Sequence, residues 1–156
     1  MHMVSVCMAT YNGQKYIKEQ ITSILEQLGG NDELVISDDQ STDNTLDIIK
    51  SFNDERIKVF VKPEKVTTDF PLDSATHNFA NALAHSKGDL IFLADQDDVW
   101  LPNHIKRMAE ALETYDWALS DCKIVDEHLN VVGESIFKIR GTKLNIPSNL
   151  WSACYQ

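Results

Sequence analysis

The sequence predicts an α/β protein with a doubly wound, mainly parallel sheet, and two observations support that prediction. Apolar runs typical of strands alternate with amphipathic stretches typical of helices from the first residues onward, which is the order of parallel strands joined by right-handed crossovers. The strand-like runs are continuous rather than alternating, as expected of strands covered on both faces. At 156 residues the chain is long enough for a sizeable core. We expect residues 1–156 to form a single domain.

The first half of the chain supplies three predicted strands and two predicted helices. The first strand is valine-rich, and the first helix carries an isoleucine and leucine stripe that Gly29-Gly30 ends. Asn12 is a candidate N-cap for that helix, and Ser41 or Thr42 is a candidate N-cap for the second. The predicted strands are 3–9, 33–37 and 57–61, and the predicted helices are 17–28 and 46–52.

The second half continues this alternation as far as about residue 121. A loop over 62–73, which contains two prolines and shows no periodicity, leads into a helix at 74–85 and a strand at 89–94. Pro102 suits the first turn of the next helix. The last predicted elements are a strand at 117–121 and a hairpin over 123–134 that turns at 127–130.

The final segment, 139–156, has weak periodicity and ends on apolar residues that have nothing left to pack against. We therefore expect a domain that is truncated on its C-terminal side. An uncovered apolar edge around Trp151 and Tyr155 would favour self-association. A homo-oligomer is accordingly one candidate assembly.

The composition excludes some classes of partner. The formal net charge of −10 argues against a nucleic-acid surface and against docking on anionic lipid by charge alone. Cys7, Cys122 and Cys154 are an odd number without metal-ligand spacing, which predicts buried, reduced thiols. No apolar run reaches the ~18 residues of a membrane span. We expect a cytoplasmic protein, at most peripheral at the inner face of the membrane.

The most informative motif is an acidic turn directly after a buried strand. The apolar run 90–93 leads into Asp95, Asp97 and Asp98. Carboxylates crowded this closely repel one another unless a cation lies among them. Their hard oxygen atoms suit Mg²⁺ or Mn²⁺ rather than a soft metal. A solvated acidic turn without function is the alternative interpretation.

Two further polar segments follow strands one and two, and parallel strands bring all three segments to one edge of the sheet. At that edge Tyr11 can stack on a flat base. Asp39 can accept a hydrogen bond from an imide N–H or a ribose hydroxyl. Asp97 and Asp98 can hold ribose and a divalent cation. The sequence therefore predicts a nucleotide site.

Structural roles compete with these functional ones. Helix capping is an alternative for Asp38, Ser41 and Asp43, and Trp100 is more typical of a packing residue at a turn. No phosphate loop, dinucleotide fingerprint, EF-hand or nucleophile elbow is present. The histidines lack metal spacing and are expected to be ordinary helix residues: His77, His85 and His104.

Three segments in register, 4–13, 34–45 and 87–98, resemble the family 2 inverting glycosyltransferases, which have the GT-A (Rossmann-like) fold. The resemblance covers nearly all of residues 3–135. Within the family, the Asp-Gln-Asp-Asp-Val-Trp run at 95–100 is most similar to bacterial cell-surface polysaccharide enzymes, including rhamnosyltransferases. The resemblance implies transfer of a sugar from a UDP- or dTDP-sugar donor to a saccharide or lipid-linked acceptor.

The resemblance also implies a role for particular residues. Thr10 and Tyr11 would line the nucleobase pocket, and Asp39 would bond the uracil or thymine ring. Asp97 would contact ribose or sugar. The metal, Mn²⁺ or Mg²⁺, would be bound directly by Asp98, with Asp95 as the next candidate ligand.

Two departures from the family pattern qualify these implications. Many relatives carry glycine where Gln40 stands, and the family's catalytic base lies in a later segment than this chain shows. Asp121 is the one late carboxylate considered as a base. We therefore expect a part that binds the donor but lacks the base. Two alternatives remain: a non-catalytic nucleotide-sugar-binding fragment, and a metal-dependent phosphotransfer domain with Asp95 or Asp38 as phosphoacceptor.

Overall fold

The computed structural model describes residues 2–64 and 71–141, with side chains described throughout except at 71 and 72. The chain forms two compact units, 1–110 and 111–156, and each is treated by itself. The single domain predicted over 1–156 extends beyond the described residues and stays a prediction. The predicted apolar edge around Trp151 and Tyr155 likewise lies outside the described residues.

The first unit alternates strands and helices as predicted. Each of its apolar runs contains valine or isoleucine, which favour strands, and its amphipathic stretches form helices. In chain order the elements are β1 (Val4–Thr10), α1 (Ile17–Leu25), β2 (Glu33–Asp38), α2 (Thr45–Ser51), β3 (Ile57–Val61), α3 (Pro71–His85), β4 (Leu90–Asp95) and α4 (His104–Leu112), whose end passes into the second unit.

The four strands form one parallel sheet in the order β3-β2-β1-β4. Thr10 at the end of β1 is in register with Asp38 at the end of β2, and Ala9 is in register with Asp95 at the end of β4. The carboxyl ends of the strands therefore meet at one edge, as the sequence predicts. The doubly wound parallel architecture is confirmed.

Alternation along β1 divides the core between the two faces of the sheet. Val6 and Met8 point to a large cluster with residues of α1, α2 and α4, whereas Cys7 points to a smaller one with Val35 and Ala82 of α3. The larger cluster has these fully buried members: Val6, Met8, Ile17, Ile21, Ile24, Leu34 and Ile36. Helices thus cover both faces of the central strands β1 and β2, which explains why their sequences are continuously apolar. The prediction of a buried strand is wrong for one face of β4, where Leu93 is 59% exposed.

The second unit contains the predicted hairpin and a short helix that the sequence analysis missed. β5 (Ile124–Val125) pairs antiparallel with β6 (Val131–Gly133), and α5 (Ile136–Ile139) follows. The strand predicted at 117–121 is wrong: this segment is irregular, and no described strand pairs with it. The prediction of buried thiols is confirmed for Cys7 and wrong for Cys122, which is exposed; Cys154 lies outside the described residues.

Two predicted caps are also wrong. Tyr16, not Asn12, stands at the N-cap of α1, and Asn44 stands at the N-cap of α2. Neither makes a side-chain cap hydrogen bond. The side chains of Asn12 and Ser41 instead bond across to each other's loops. The third helix begins at Pro71, three residues before the predicted start. Of the loop predicted over 62–73, residues 65–70 lie outside the described residues.

Gly88, just before β4, allows two backbone segments to approach closely. A Cβ atom on Gly88 would lie 2.5 Å from the Ser5 nitrogen and 2.8 Å from the Met3 oxygen. We expect Gly88→Ala to lower the free energy of unfolding by about 2 kcal/mol, since backbone atoms cannot move aside as a flexible side chain can. Urea denaturation followed by circular dichroism measures this loss.

Gly30 provides the matched control for that substitution. A Cβ atom on Gly30 would meet no atom within 4 Å. Gly30→Ala should therefore leave the unfolding midpoint unchanged or raise it slightly, because alanine restricts the unfolded chain more than glycine does. Equal unfolding midpoints for the two variants would contradict the tight approach at Gly88.

Candidate functional site

The site is built on the edge where the strands end. The segment after β1 and the segment after β2, called here the first loop (11–16) and the second loop (39–44), lie beside the acidic turn (95–98) that follows β4. Strand pairing places Asp38 between Thr10 and Val61. The sheet therefore brings together the three segments that the sequence predicts to converge.

The first and second loops are joined by reciprocal hydrogen bonds. The Asn12 nitrogen donates to Ser41 Oγ at 2.9 Å, and the Thr42 nitrogen donates to Asn12 Oδ1 at 2.8 Å. One turn further on, the Gln14 nitrogen donates to Asp43 Oδ2 at 3.1 Å. Asn12 has a φ of 49°, a conformation that asparagine tolerates better than most residues. Residues predicted to be helix caps thus fix the two loops against each other.

Asp38 is the structural centre of the second loop. It is fully buried. Its carboxylate accepts hydrogen bonds from the Ser41 nitrogen (2.8 Å), Ser41 Oγ (2.6 Å) and Thr10 Oγ1 (2.9 Å). A carboxylate that is buried and used in this way has no oxygen exposed to a phosphodonor. This geometry favours the structural interpretation of Asp38 over the phosphoacceptor one.

Asp39 lies in a different environment from Asp38, although the two are adjacent. Its side chain and that of Lys62, the residue after β3, are both more than nine-tenths buried, and Lys62 Nζ lies 2.9 Å from Asp39 Oδ1. Ser74 Oγ of α3 donates to Asp39 Oδ2 at 2.7 Å. The ion pair balances the charge of a buried carboxylate and fixes its orientation.

The turn at Gln40 explains the departure from the family pattern. Gln40 has a φ of 61°, in the region that glycine adopts without cost. Its side-chain amide donates to the backbone oxygens of Lys62 and Pro63 at 3.2 and 3.1 Å. These two bonds offset the strain of a non-glycine residue. They also tie the second loop to the segment that carries Lys62.

The acidic turn presents Asp95, Asp97 and Asp98 at the surface of the first unit. Partial desolvation, followed by repulsion from Asp95 and Asp97, raises the pKa of Asp98 to about 6. Partial desolvation and then repulsion from Asp97 raise the pKa of Asp95. The turn thus concentrates negative charge that lacks compensation within the described residues. A cation would relieve this repulsion.

The donor set of the turn fits a hard divalent cation that is shared with a ligand. Among residues 2–64 and 71–141, no three His, Cys, Asp or Glu side chains are arranged to hold a metal ion by themselves. Mg²⁺-type sites commonly use one or two carboxylates and complete their shell with substrate phosphates and water. Asp98 and Asp95 could supply those carboxylates.

The two residues expected to line a base differ in exposure. Thr10 is buried, and its hydroxyl donates to Asp38, whereas Tyr11 is 43% exposed. Tyr11 therefore offers the accessible surface, and Thr10 positions the loop that carries it. Trp100 packs against the larger core cluster and near Phe92, with ring centroids 6.0 Å apart. Its predicted packing role is confirmed.

Asp121, the candidate base, belongs to the second unit and makes structural contacts there. Its carboxylate accepts hydrogen bonds from Ser135 Oγ and from the Phe137 nitrogen at the start of α5. The hydrogen bond from Ser135 is the main reason that the pKa of Asp121 lies below its ordinary value. A lowered pKa makes a weaker base. Its catalytic role stays a prediction that these contacts do not support.

Several positioning residues were missed by the sequence analysis. Ser74 bonds Asp39, Asn78 Nδ2 donates to the Thr10 oxygen at 3.0 Å, and Asn81 Nδ2 donates to a β2 serine hydroxyl at 2.8 Å. Their i, i+4, i+7 spacing places three polar side chains on one face of α3, and that signal was available. Lys62 was available too, as the residue directly after β3. Only the fold shows which partners they have.

Comparison with known proteins identifies the family. The family described as glycosyl transferase family 2 matches residues 5–133. The chain belongs to glycosyl transferase family 2. A dTDP-rhamnosyl transferase of Shigella flexneri, RfbG, is 36% identical over 67% of this chain and 36% of its own length. The UDP-Glc:alpha-D-GlcNAc-diphosphoundecaprenol beta-1,3-glucosyltransferase WfgD of Escherichia coli is 33% identical over 67% of the chain and 39% of its own length.

Solved structures show the same fold. The structure of S. aureus TarS 1-349 in complex with UDP has a TM-score of 0.62 and 27% sequence identity, covering 73% of this chain and 33% of that one. The GT-A fold prediction and the family resemblance are confirmed. The chain spans less than half the length of these curated relatives. In the described part of the chain, no helix is both long and apolar enough to cross a membrane.

Proposed function

We propose that this chain is the donor-binding part of a metal-assisted, inverting glycosyltransferase. In this proposal the enzyme transfers a sugar from a UDP- or dTDP-sugar to an acceptor hydroxyl during synthesis of a bacterial polysaccharide or glycoconjugate. The observation that supports it most is the convergence of exposed Tyr11, the Asp39–Lys62 pair and the acidic turn on one sheet edge. Together they offer contacts for a base, a ribose and a metal-bound diphosphate.

The relatives support the donor and acceptor classes. RfbG is named as a dTDP-rhamnosyl transferase, and WfgD as an enzyme that uses UDP-Glc and a diphosphoundecaprenol-linked GlcNAc. TarS has been crystallised with UDP-GlcNAc. We infer a UDP- or dTDP-sugar donor and a saccharide or lipid-linked acceptor for this chain. A lipid-linked acceptor would place the enzyme at the inner face of the membrane, as a cytoplasmic, peripheral protein.

The residues of the site have separate tasks in this proposal. Tyr11 stacks on the base, Asp39 accepts the imide N–H, and Asp97 contacts the ribose or sugar. Asp98, with Asp95, would hold Mn²⁺ or Mg²⁺, which would supply Lewis-acid stabilisation of the departing diphosphate. In this assignment Tyr11 and Asp39 contact the base end of the donor, and Asp97 contacts its ribose or sugar. A separate base would deprotonate the acceptor hydroxyl, which attacks the face opposite the nucleotide.

The preference for a base is the first test of this proposal. We expect UDP or dTDP to bind at least tenfold more tightly than ADP, a difference of about 1.4 kcal/mol. The physical reason is that uracil and thymine carry an imide N–H, from which Asp39 can accept a hydrogen bond. The corresponding ring position of adenine carries no N–H. Isothermal calorimetry with Mn²⁺ present measures both affinities.

A substitution assigns the preference to Asp39. Asp39→Asn should bring the affinities for UDP and ADP together, because an amide held beside Lys62 and Ser74 is a weaker acceptor than a carboxylate. Asp47→Asn, at an exposed carboxylate of α2, is the control and should keep the preference. Equal affinity of the unsubstituted chain for UDP and ADP would refute the base-reading role.

A turnover assay distinguishes a chain that transfers sugar from one that only binds the donor. The chain is incubated with UDP- and dTDP-sugars and Mn²⁺, and nucleotide release is followed with and without saccharide acceptors. We expect binding without acceptor-dependent release from these 156 residues, because general-base catalysis and acceptor positioning are each worth orders of magnitude in rate. Acceptor-dependent release that Asp121→Asn abolishes would identify Asp121 as the base after all.

A further inference from the structure

Gln96, between two carboxylates of the acidic turn, makes a two-point contact with the first loop. The Tyr11 nitrogen donates to Gln96 Oε1 at 3.0 Å, and Gln96 Nε2 donates to the Tyr11 oxygen at 3.1 Å. The last registered pair between β1 and β4 is Ala9 with Asp95. The Gln96 side-chain amide therefore extends the hydrogen bonding between β1 and β4 by one residue. It bonds Tyr11 through one acceptor and one donor, as the backbone of a neighbouring strand would.

Both the residue type and its surroundings suit this contact. A side-chain amide accepts from the Tyr11 nitrogen and donates to the Tyr11 oxygen at once, through two separate atoms; ionised glutamate lacks the donor and methionine lacks both groups. Gly13 leaves room for it, since a Cβ atom there would lie 2.3 Å from Gln96 Oε1. The chain thus combines a glutamine in the turn with a glycine in the loop that the glutamine crosses.

Each partner of this contact also has an anchor of its own. The first loop is bonded to the second through Asn12 and Ser41. The acidic turn is held to α1 by Gln20 Nε2, which donates to the Asp95 oxygen at 3.1 Å. Loss of the Gln96 contact would therefore leave each segment folded while removing the direct link between them.

We propose that Gln96 is a positioning residue that couples the base platform, Tyr11, to the metal-binding turn. This proposal rests on the proposed function. With the contact in place, a cation that orders the turn also orders Tyr11, so the nucleotide that binds next loses less conformational freedom. Metal and nucleotide then strengthen each other's binding by the same factor, as linkage requires.

The experiment measures that factor directly. The affinity of UDP is determined by calorimetry without metal and with saturating Mn²⁺, and the ratio of the two affinities is the coupling factor. We expect Gln96→Met, which keeps the length of the side chain but lacks the amide, to lower the coupling factor at least tenfold. The affinity of UDP without metal should change much less, because the contacts proposed for the base, from the Tyr11 ring and Asp39, remain.

Gln27→Met is the matched control. Gln27 lies just after α1, and its Oε1 accepts a hydrogen bond from the Ile105 nitrogen of α4, away from the first loop. Its loss should lower the melting temperature as much as the loss of Gln96 does, but leave the coupling factor unchanged. Gln96→Ala is the second variant in case the first does not fold.

The possible outcomes separate the two proposals. If the unsubstituted chain does not bind UDP under either condition, the proposed function is refuted. If it binds UDP with a metal-dependent gain that Gln96→Met and Gln96→Ala both retain, only the coupling role is refuted. If neither Gln96 variant folds while Gln27→Met does, Gln96 is a structural residue and the coupling role is likewise refuted.

Discussion

Replacing Asp98 with asparagine is expected to abolish the dependence of nucleotide affinity on Mn²⁺ or Mg²⁺. In the unsubstituted chain the metal should raise the affinity for UDP by about a hundredfold, near the upper end of the 1–3 kcal/mol typical of coupling between two ligands. The physical reason is that the acidic turn and a diphosphate are both negative, so they bind one another only through a shared cation. Calorimetric titration with UDP at several metal concentrations measures the effect.

The same experiment distinguishes Asp98 from its neighbours. Asp98→Asn removes one of three crowded carboxylates, so repulsion falls and the fold should be kept; a thermal melt checks this. Asp47→Asn, whose carboxylate lies in α2 and whose side chain is 83% exposed, is the charge-matched control and should retain the full metal effect. An Asp98→Asn variant that retains it would shift the principal ligand to Asp95.

The part of the fold that the sequence predicts well is the part fixed by local patterns. The parallel sheet follows from apolar runs that must be covered on both faces, and the edge position of the acidic turn follows from the abrupt change between Phe92 and Asp95. The alternation of side chains along a strand also explains why the adjacent residues Asp38 and Asp39 have different partners. Their side chains point to opposite faces, so Asp38 bonds Thr10 while Asp39 meets Ser74 of α3.

The errors occur where tertiary partners decide the outcome. Residues 117–121 have a strand-like composition, but a strand needs a neighbour to complete its backbone hydrogen bonds. The Asp121 side chain instead accepts a hydrogen bond from the Phe137 nitrogen in the first turn of α5. Asn12 has the composition of a helix cap, yet its side chain bonds Thr42, thirty positions away. The role of Lys62 depends on Asp39, and the pairing of β2 with β3 is what brings these two residues together. No local pattern contains these partners.

The second large effect is expected from Asp38→Ala, through stability rather than through binding. The substitution removes the acceptor of Thr10 Oγ1, which is buried, and of the Ser41 nitrogen and Ser41 Oγ, which are partly buried. Each buried donor that loses its partner costs about 1–3 kcal/mol, so we expect the free energy of unfolding to fall by about 3 kcal/mol. Urea denaturation monitored by circular dichroism provides the measurement.

Asp43→Ala tests whether burial, rather than the number of hydrogen bonds, sets this cost. The Asp43 carboxylate also accepts three hydrogen bonds, from the Thr45 nitrogen, Thr45 Oγ1 and the Gln14 nitrogen. Asp43 is only partly buried, so water can replace the lost acceptor at some of these donors, and we expect a loss of about 1 kcal/mol. If the two variants lost equal stability, the Asp38 carboxylate would contribute no more to the loops than any other hydrogen-bonded carboxylate there. A larger loss at Asp38 would show that its buried carboxylate holds the second loop in place, and with that loop Asp39.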